Sequence, residues 1–194
     1  AIDSESSCLP NRAVWLRCAK SMSAKTEARV HGTAPEDLSP WTGHWTGAGT
    51  GYRIEQEKFD TLLTSQGFPW PLRKMIMAFG AEREFKLGDG RFLFGSKMLT
   101  GSFNWLHADE PTCFSVLGYS IETLVTWEDD AEGIDGKTLV STMFTTSEDG
   151  YFISGSRTTT RITHTLNQAG ELVVNTFTPE GSYIQWLARE TDGI

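Results

Sequence analysis

Along most of the chain, apolar and polar residues alternate with a period of two, and turn-forming residues break the alternation at short intervals. "FKLGDGRFLFG" sets Gly-Asp-Gly between two apolar runs, which is a hairpin pattern. "SIETLVTWEDD" puts Ile121, Thr123, Val125 and Trp127 on one face of a strand. "KTLVSTMFTTSEDGYFIS" reads as two strands around Glu-Asp-Gly. "TTTRITHTLNQAGELVVNTFTPEGSYIQWLARE" adds three more, turning at Asn-Gln-Ala-Gly and Pro-Glu-Gly. About ten strands with short connections and no helical crossover predict a mainly β fold, an antiparallel up-and-down meander. Closure into a barrel removes both edges of such a sheet.

The period changes in two places. Residues 1–40 begin with a polar, loop-like "AIDSESSCLP" and continue into a stretch of helix-forming composition, with Val14, Cys18 and Met22 four apart. "HGTAPEDLSP" then reads as a linker. This predicts an N-terminal helical arm and linker over residues 1–40, with the barrel over residues 41–194. The second change is "KFDTLLTSQGFPWPLRKMIMAFG". Phe59, Leu62 and Leu63 recur at helical spacing, Gly67 suits a left-handed C-cap, and Pro71 suits a first helical turn. Leu72, Met75, Ile76 and Phe79 form a second stripe. A helix-turn-helix over about residues 56–80 is therefore expected within the β sequence.

Composition narrows the function. At 39% hydrophobic and 11% aromatic residues, with seven Trp, the chain can build a substantial core. Its net charge of −8 and lack of a basic cluster speak against a nucleic-acid partner, because neutralising phosphates takes grouped Lys and Arg. No run is long enough to span a membrane as a helix. The expected protein is soluble. The chain opens on Ala1 rather than Met, as a processed or trimmed form does. An organelle lumen or secretion after processing fits that reading, and a cytoplasmic location is the alternative. Cys8 and Cys18 are candidates for a disulfide, whereas Cys113 reads as a small buried hydrophobe in a strand.

Other signals carry little chemistry. "GHWTGAGTG" is rich in glycine but lacks the Lys-Ser/Thr and the strand–helix setting of a phosphate loop. The four His are scattered and no pair of Cys has zinc-ligand spacing, so no metal or other cofactor is expected. "EDDAEGID" reads as a solvated acidic turn, with weak calcium binding as the alternative. Ser141, Thr142, Thr145, Thr146, Thr158 to Thr160 and Gln185 lie among apolar strand residues. They fit either a partly wet ligand cavity or ordinary solvent-facing β-formers.

Phe59-Asp60, Leu62-Leu63, Gly67 and Arg73-Lys74 stand at the spacing found in the fatty-acid-binding protein family of the calycin superfamily. The strand with Gly43-His44-Trp45 and the run of hairpins match it as well. The chain resembles that family from about Trp41 to Arg189. The resemblance implies a ten-stranded barrel whose single helix pair lids the open end as the entry portal, with Phe59, Phe68, Trp70 and Leu72 at the portal. It also implies that Trp45 closes the barrel beneath an arginine of the last strand, Arg189. Members that bind fatty acids hold the carboxylate with an Arg-x-Tyr on the last strand and an arginine from an earlier one. Here "YIQWLAR" departs from that pattern, with Tyr183, Gln185 and Leu187 facing the interior and Gln185 and Leu187 at the motif's places. The earlier arginine corresponds to Arg161, or its place is taken by His164. A neutral amide suits a hydroxyl or carbonyl head group better than an anion.

The expected function is therefore to bind, carry or sequester a hydrophobic small molecule, such as a fatty acid, retinoid, sterol or pigment-like compound. Two alternatives remain open. One is a structural subunit of a large assembly that uses the barrel as a docking body. The other is an enzyme on a calycin barrel acting on a bound hydrophobic substrate. The sequence leans against an enzyme. Strand alternation puts Ile184 and Trp186 side by side on the outer surface. That apolar spot needs a cover, supplied by the N-terminal arm or by a partner protein.

Overall fold

The computed structural model describes residues 32–47, 53–65, 69–79, 82–88, 91–97, 103–116, 119–147 and 157–190. In chain order these residues form β1 (Gly43–Thr46), β2 (Arg53–Ile54), α1 (Gln56–Ser65), α2 (Trp70–Phe79), β3 (Glu82–Gly88) and β4 (Arg91–Lys97). There follow β5 (Phe103–His107), β6 (Thr112–Val116), β7 (Tyr119–Asp129), β8 (Lys137–Ser147), β9 (Arg157–Leu166), β10 (Leu172–Thr178) and β11 (Gly181–Arg189). Ten of the strands run antiparallel in the order β5-β4-β3-β1-β11-β10-β9-β8-β7-β6, with β2 added to β11. This is a nearly closed antiparallel barrel with two helices between β2 and β3. The expected arm over residues 1–31, with Cys8 and Cys18, lies outside the described residues, as does the expected "YFIS" strand segment.

Sequential hairpins build most of the sheet, and β1 joins its two halves. Trp45 is opposite Arg189 on β11 and opposite Arg83 on β3. The Arg189 guanidinium lies over the Trp45 ring, 6.0 Å from its centroid, and donates to the Thr42 carbonyl. Gly43 has φ of 127°, and a Cβ there would sit 2.9 Å from Arg189 Nε. Glycine lets the arginine cross the strand start.

The seam between β5 and β6 is laced from one end. Ahead of Thr112, the first residue of β6, the free edge of β7 pairs with other segments. Ala108 forms a parallel bridge with Val125, and Asp109 N–H donates to Val125 O at 2.7 Å. Gly32 pairs with Trp127, donating to its carbonyl at 2.8 Å. A side chain at Gly32 would place Cβ 2.8 Å from that same oxygen, so the approach requires glycine.

A dry aromatic core fills this end. Trp41, Trp45 and Trp127 are buried, with Trp41 edge-on to Trp127 at 5.0 Å and to Phe85 at 6.0 Å. Trp41 Nε1 donates to Asp135 Oδ2 at 2.7 Å, and Trp45 Nε1 to Trp41 O at 2.9 Å. Leu139, Leu166, Leu172 and Leu187 complete the plug. The segment 32–40, read from composition as a linker, is therefore part of the barrel: Leu38 packs on the core and Gly32 extends the sheet. Pro35 is buried there, while Thr33, Ala34, Glu36, Asp37 and Ser39 remain exposed. Cys113 lies in a strand, β6, as expected, but it is half-buried and disulfide-bonded rather than a small buried hydrophobe.

Alternation along β11 puts Leu187 and Gln185 inside, with Ala188 exposed outside. The outer Ile184–Trp186 spot is partly covered by the chain itself. Arg53 lies 5.0 Å from the Trp186 ring centroid and is paired with Glu171. Glu55 exchanges backbone and side-chain hydrogen bonds with Ile184.

Candidate functional site

The strand periodicity that makes the plug also builds the layer above it. On β7, Trp127 and Val125 are followed inward by Thr123; on β8, Leu139 is followed by Ser141; on β9, Leu166 is followed by His164. Leu139 is opposite His164, and His164 is opposite Val174, whose other neighbour is Gln185. A band of polar residues thus replaces the aliphatic ones one step up from the Trp-rich end. An internal cavity of about 40 Å³ lies against this band. Thr123, Ser141 and His164 line one wall, with Phe114, Met143 and Ile162 around them. Across from them, β3 to β5 contribute Arg83, Phe94, Ser96 and Leu106.

Three polar atoms in that wall are buried and unpaired among the described residues: Thr123 Oγ1, Ser141 Oγ and His164 Nε2. The residues are 1%, 2% and 0% exposed. Leaving a buried donor or acceptor unmatched costs about 1–3 kcal/mol each, so an ordinary barrel core would carry Val or Leu here. The His164 ring is held from both sides. Its Nδ1 lies 3.3 Å from Leu139 O, and Phe94 and Phe85 meet the ring edge-on at 4.8 and 6.3 Å. Burial, with Arg83 as a second cause, pushes the imidazole pKa down to about 3, so His164 is neutral at neutral pH.

The other residues expected at the site are distributed unevenly. Tyr183 faces inward, its ring tilted against Phe59 of α1 with centroids 4.6 Å apart, and burial pushes its phenol pKa up. Gln185 is buried on the same face but is not part of the cavity wall, and Leu187 belongs to the dry plug. Arg161 is misassigned. It has the opposite parity to His164 and pairs with Glu128 at 2.7 Å on the outer side of the barrel, leaving the inward place to His164. Trp70, at the start of α2, is 62% exposed. Leu72 lies on α2, and its side chain is outside the described set, as is Phe68 altogether. The helices are tied to each other by Arg73 Nε and Asp60 Oδ1 at 3.1 Å, and α1 buries Phe59, Leu62 and Leu63.

Sequence reasoning missed Thr123 and Arg83. Alternation puts Thr123 on the inner face of β7, but nothing in its neighbours marks it as polar lining rather than a β-former. Arg83 lies in "EREF", where charged residues on both sides hide its inward parity; only its spacing from Phe85 reveals it.

No protein-family model matches the chain, and no curated protein matches it in sequence. Solved structures match its fold. Apo lipid binding protein 8 of Caenorhabditis elegans aligns with a TM-score of 0.55 at 18% identity, covering 79% of this chain and 98% of that one. Human cRBP IV aligns at 0.52 and 17% identity, over 80% of this chain and 100% of that one. A Schistosoma mansoni fatty acid binding protein in complex with arachidonic acid aligns at 0.53 and 11%, over 79% and 98%.

Proposed function

We propose that this barrel, which has the calycin fold of the fatty-acid-binding proteins, binds a small hydrophobic molecule in its interior and carries or sequesters it. One observation carries the reading: a cavity with largely apolar walls stands at the level where buried polar groups replace aliphatic ones. Such a site gains affinity from desolvation, about 25 cal/mol per Å² of apolar surface removed from water. A few placed polar groups then fix orientation. Structural neighbours that include a lipid binding protein and a fatty acid binding protein in complex with arachidonic acid support the same reading at the level of the fold. The α1–α2 unit, anchored through Phe59 on Tyr183, is the proposed gate. Entry of anything larger than a few heavy atoms requires that unit or the aromatic side chains to shift. The test is displacement of a bound hydrophobic fluorescent probe by straight-chain ligands. Saturable displacement at micromolar concentration is expected; no displacement by any of them would defeat the reading.

A second reading, a docking body in a larger assembly, is favoured by the cavity's size. Its 40 Å³ compares with the roughly 300–1,000 Å³ of typical small-molecule pockets. On that reading, filling the space with Ser141→Val raises stability, and no hydrophobic ligand shifts the melting temperature of the wild type.

A further inference from the structure

The hydrogen-bonding groups that face the cavity specify more than polarity. His164 Nδ1 faces the Leu139 carbonyl, and a carbonyl oxygen only accepts. The ring proton of the neutral imidazole therefore sits on Nδ1, and Nε2 presents a lone pair to the cavity. Whatever meets Nε2 must bring a hydrogen. The Thr123 and Ser141 hydroxyls each donate or accept, and both oxygens are buried without a partner among the described residues.

We propose that the head group taken by this cavity is an uncharged hydroxyl, donating to His164 Nε2 and accepting from the hydroxyls of Ser141 and Thr123. This rests on the carrier reading and names its ligand class as aliphatic or polycyclic alcohols. Other head groups fail one requirement each. A carboxylate has no hydrogen for Nε2, and its charge would be buried against a lone pair. A ketone or ether leaves Nε2 unmatched. An ammonium group would share the cavity with Arg83. A hydroxyl also reproduces the bonds that a water molecule would make here, so replacing water by an alcohol keeps them. Replacing water by an ether or a ketone loses the one donated to Nε2. The small cavity volume fits a head-group recess, with the ligand's chain extending past it.

The experiment uses one chain with four ends: 1-decanol, decyl methyl ether, decanoic acid and decane. Their dissociation constants are measured by probe displacement on the full chain at neutral pH. The alcohol is expected to bind about tenfold tighter than the ether, and the acid weaker than the alcohol. His164→Phe keeps an aromatic ring but removes the acceptor, and should reduce the alcohol-to-ether ratio to about one. A measurement on the wild type does not depend on that variant folding. The ¹⁵N resonance of His164 Nε2 should move upfield on adding decanol and stay fixed on adding the ether. Equal affinities for alcohol and ether, or a stationary resonance, overturn the hydroxyl assignment while leaving the carrier reading intact. Tightest binding by the acid overturns it in favour of Arg83 as the head-group partner. Failure of all four to bind overturns the carrier reading and this inference together.

Discussion

His164 is fully buried at the candidate site, and its burial makes a prediction about acid stability. Its folded pKa is about 3, against 6.5 in an unfolded chain. Between those values the unfolded state binds one more proton than the folded state, so stability rises with pH. The contribution is complete above about pH 6.5 and is lost progressively as pH falls toward 3, by about a factor of ten in the folded-to-unfolded ratio per pH unit. Urea unfolding across that range should show this slope in the wild type and a shallower one in His164→Gln. The same residue shows the limits of the sequence. Periodicity placed both Arg161 and His164 on one strand, but they differ in parity, and one residue of register decides which of them faces the interior. The long Asn167–Gly170 hairpin obscured that register. The Glu128 carboxylate that holds Arg161 outside lies 33 residues away in sequence.

At the scale of elements, the helix pair was legible because its period differs from everything around it. Phe59, Leu62 and Leu63 form a stripe, and all three are buried. The Asp60–Arg73 ion pair gives a physical role to two positions of the family-like motif, since it joins α1 to α2 across their turn. Arg73→Ala should loosen α2 while leaving α1 seated through Phe59. Amide exchange should rise over Trp70–Phe79 and not over Gln56–Ser65, with a loss of about 1 kcal/mol or less, because the pair is part-exposed. Replacing residues 56–79 by a short Gly-Ser linker should leave the β-sheet circular dichroism intact, because the ladders close without the helices. Probe release should become faster. Unfolding of the whole domain would instead assign the helices to the core. Residues 32–40 show the converse: composition alone does not separate a free linker from a segment anchored on the barrel through Gly32 and Leu38.

Over the whole molecule, closure rests on β1, a strand of four residues held between β3 and β11. A sequence of hairpins announces the meander, and tight turns fix most neighbours. Nothing local announces that Trp45 will stand beside Arg189, so the resemblance to a known family supplied that pairing where periodicity could not. Arg189→Ala removes the cation over Trp45 and the donor to Thr42 O. A loss of about 1–2 kcal/mol in urea unfolding is expected, with Trp45 fluorescence shifted to the red.

That long-range junction has a consequence for the order of folding. The ladders from β6 to β11 form between consecutive strands, whereas His44 and Glu190 meet across 146 residues. Joining ends so far apart costs about 3 kcal/mol more in loop entropy than closing a hairpin of a few residues. The rate-limiting barrier should therefore be crossed with the six-strand meander formed and the ring still open. On that view the β1–β11 clasp acts as a kinetic latch: contacts made after the barrier slow escape from the native state without hastening arrival. In stopped-flow chevrons, Arg189→Ala should steepen nothing and slow nothing on the refolding limb, while raising the unfolding rate by nearly the full equilibrium effect.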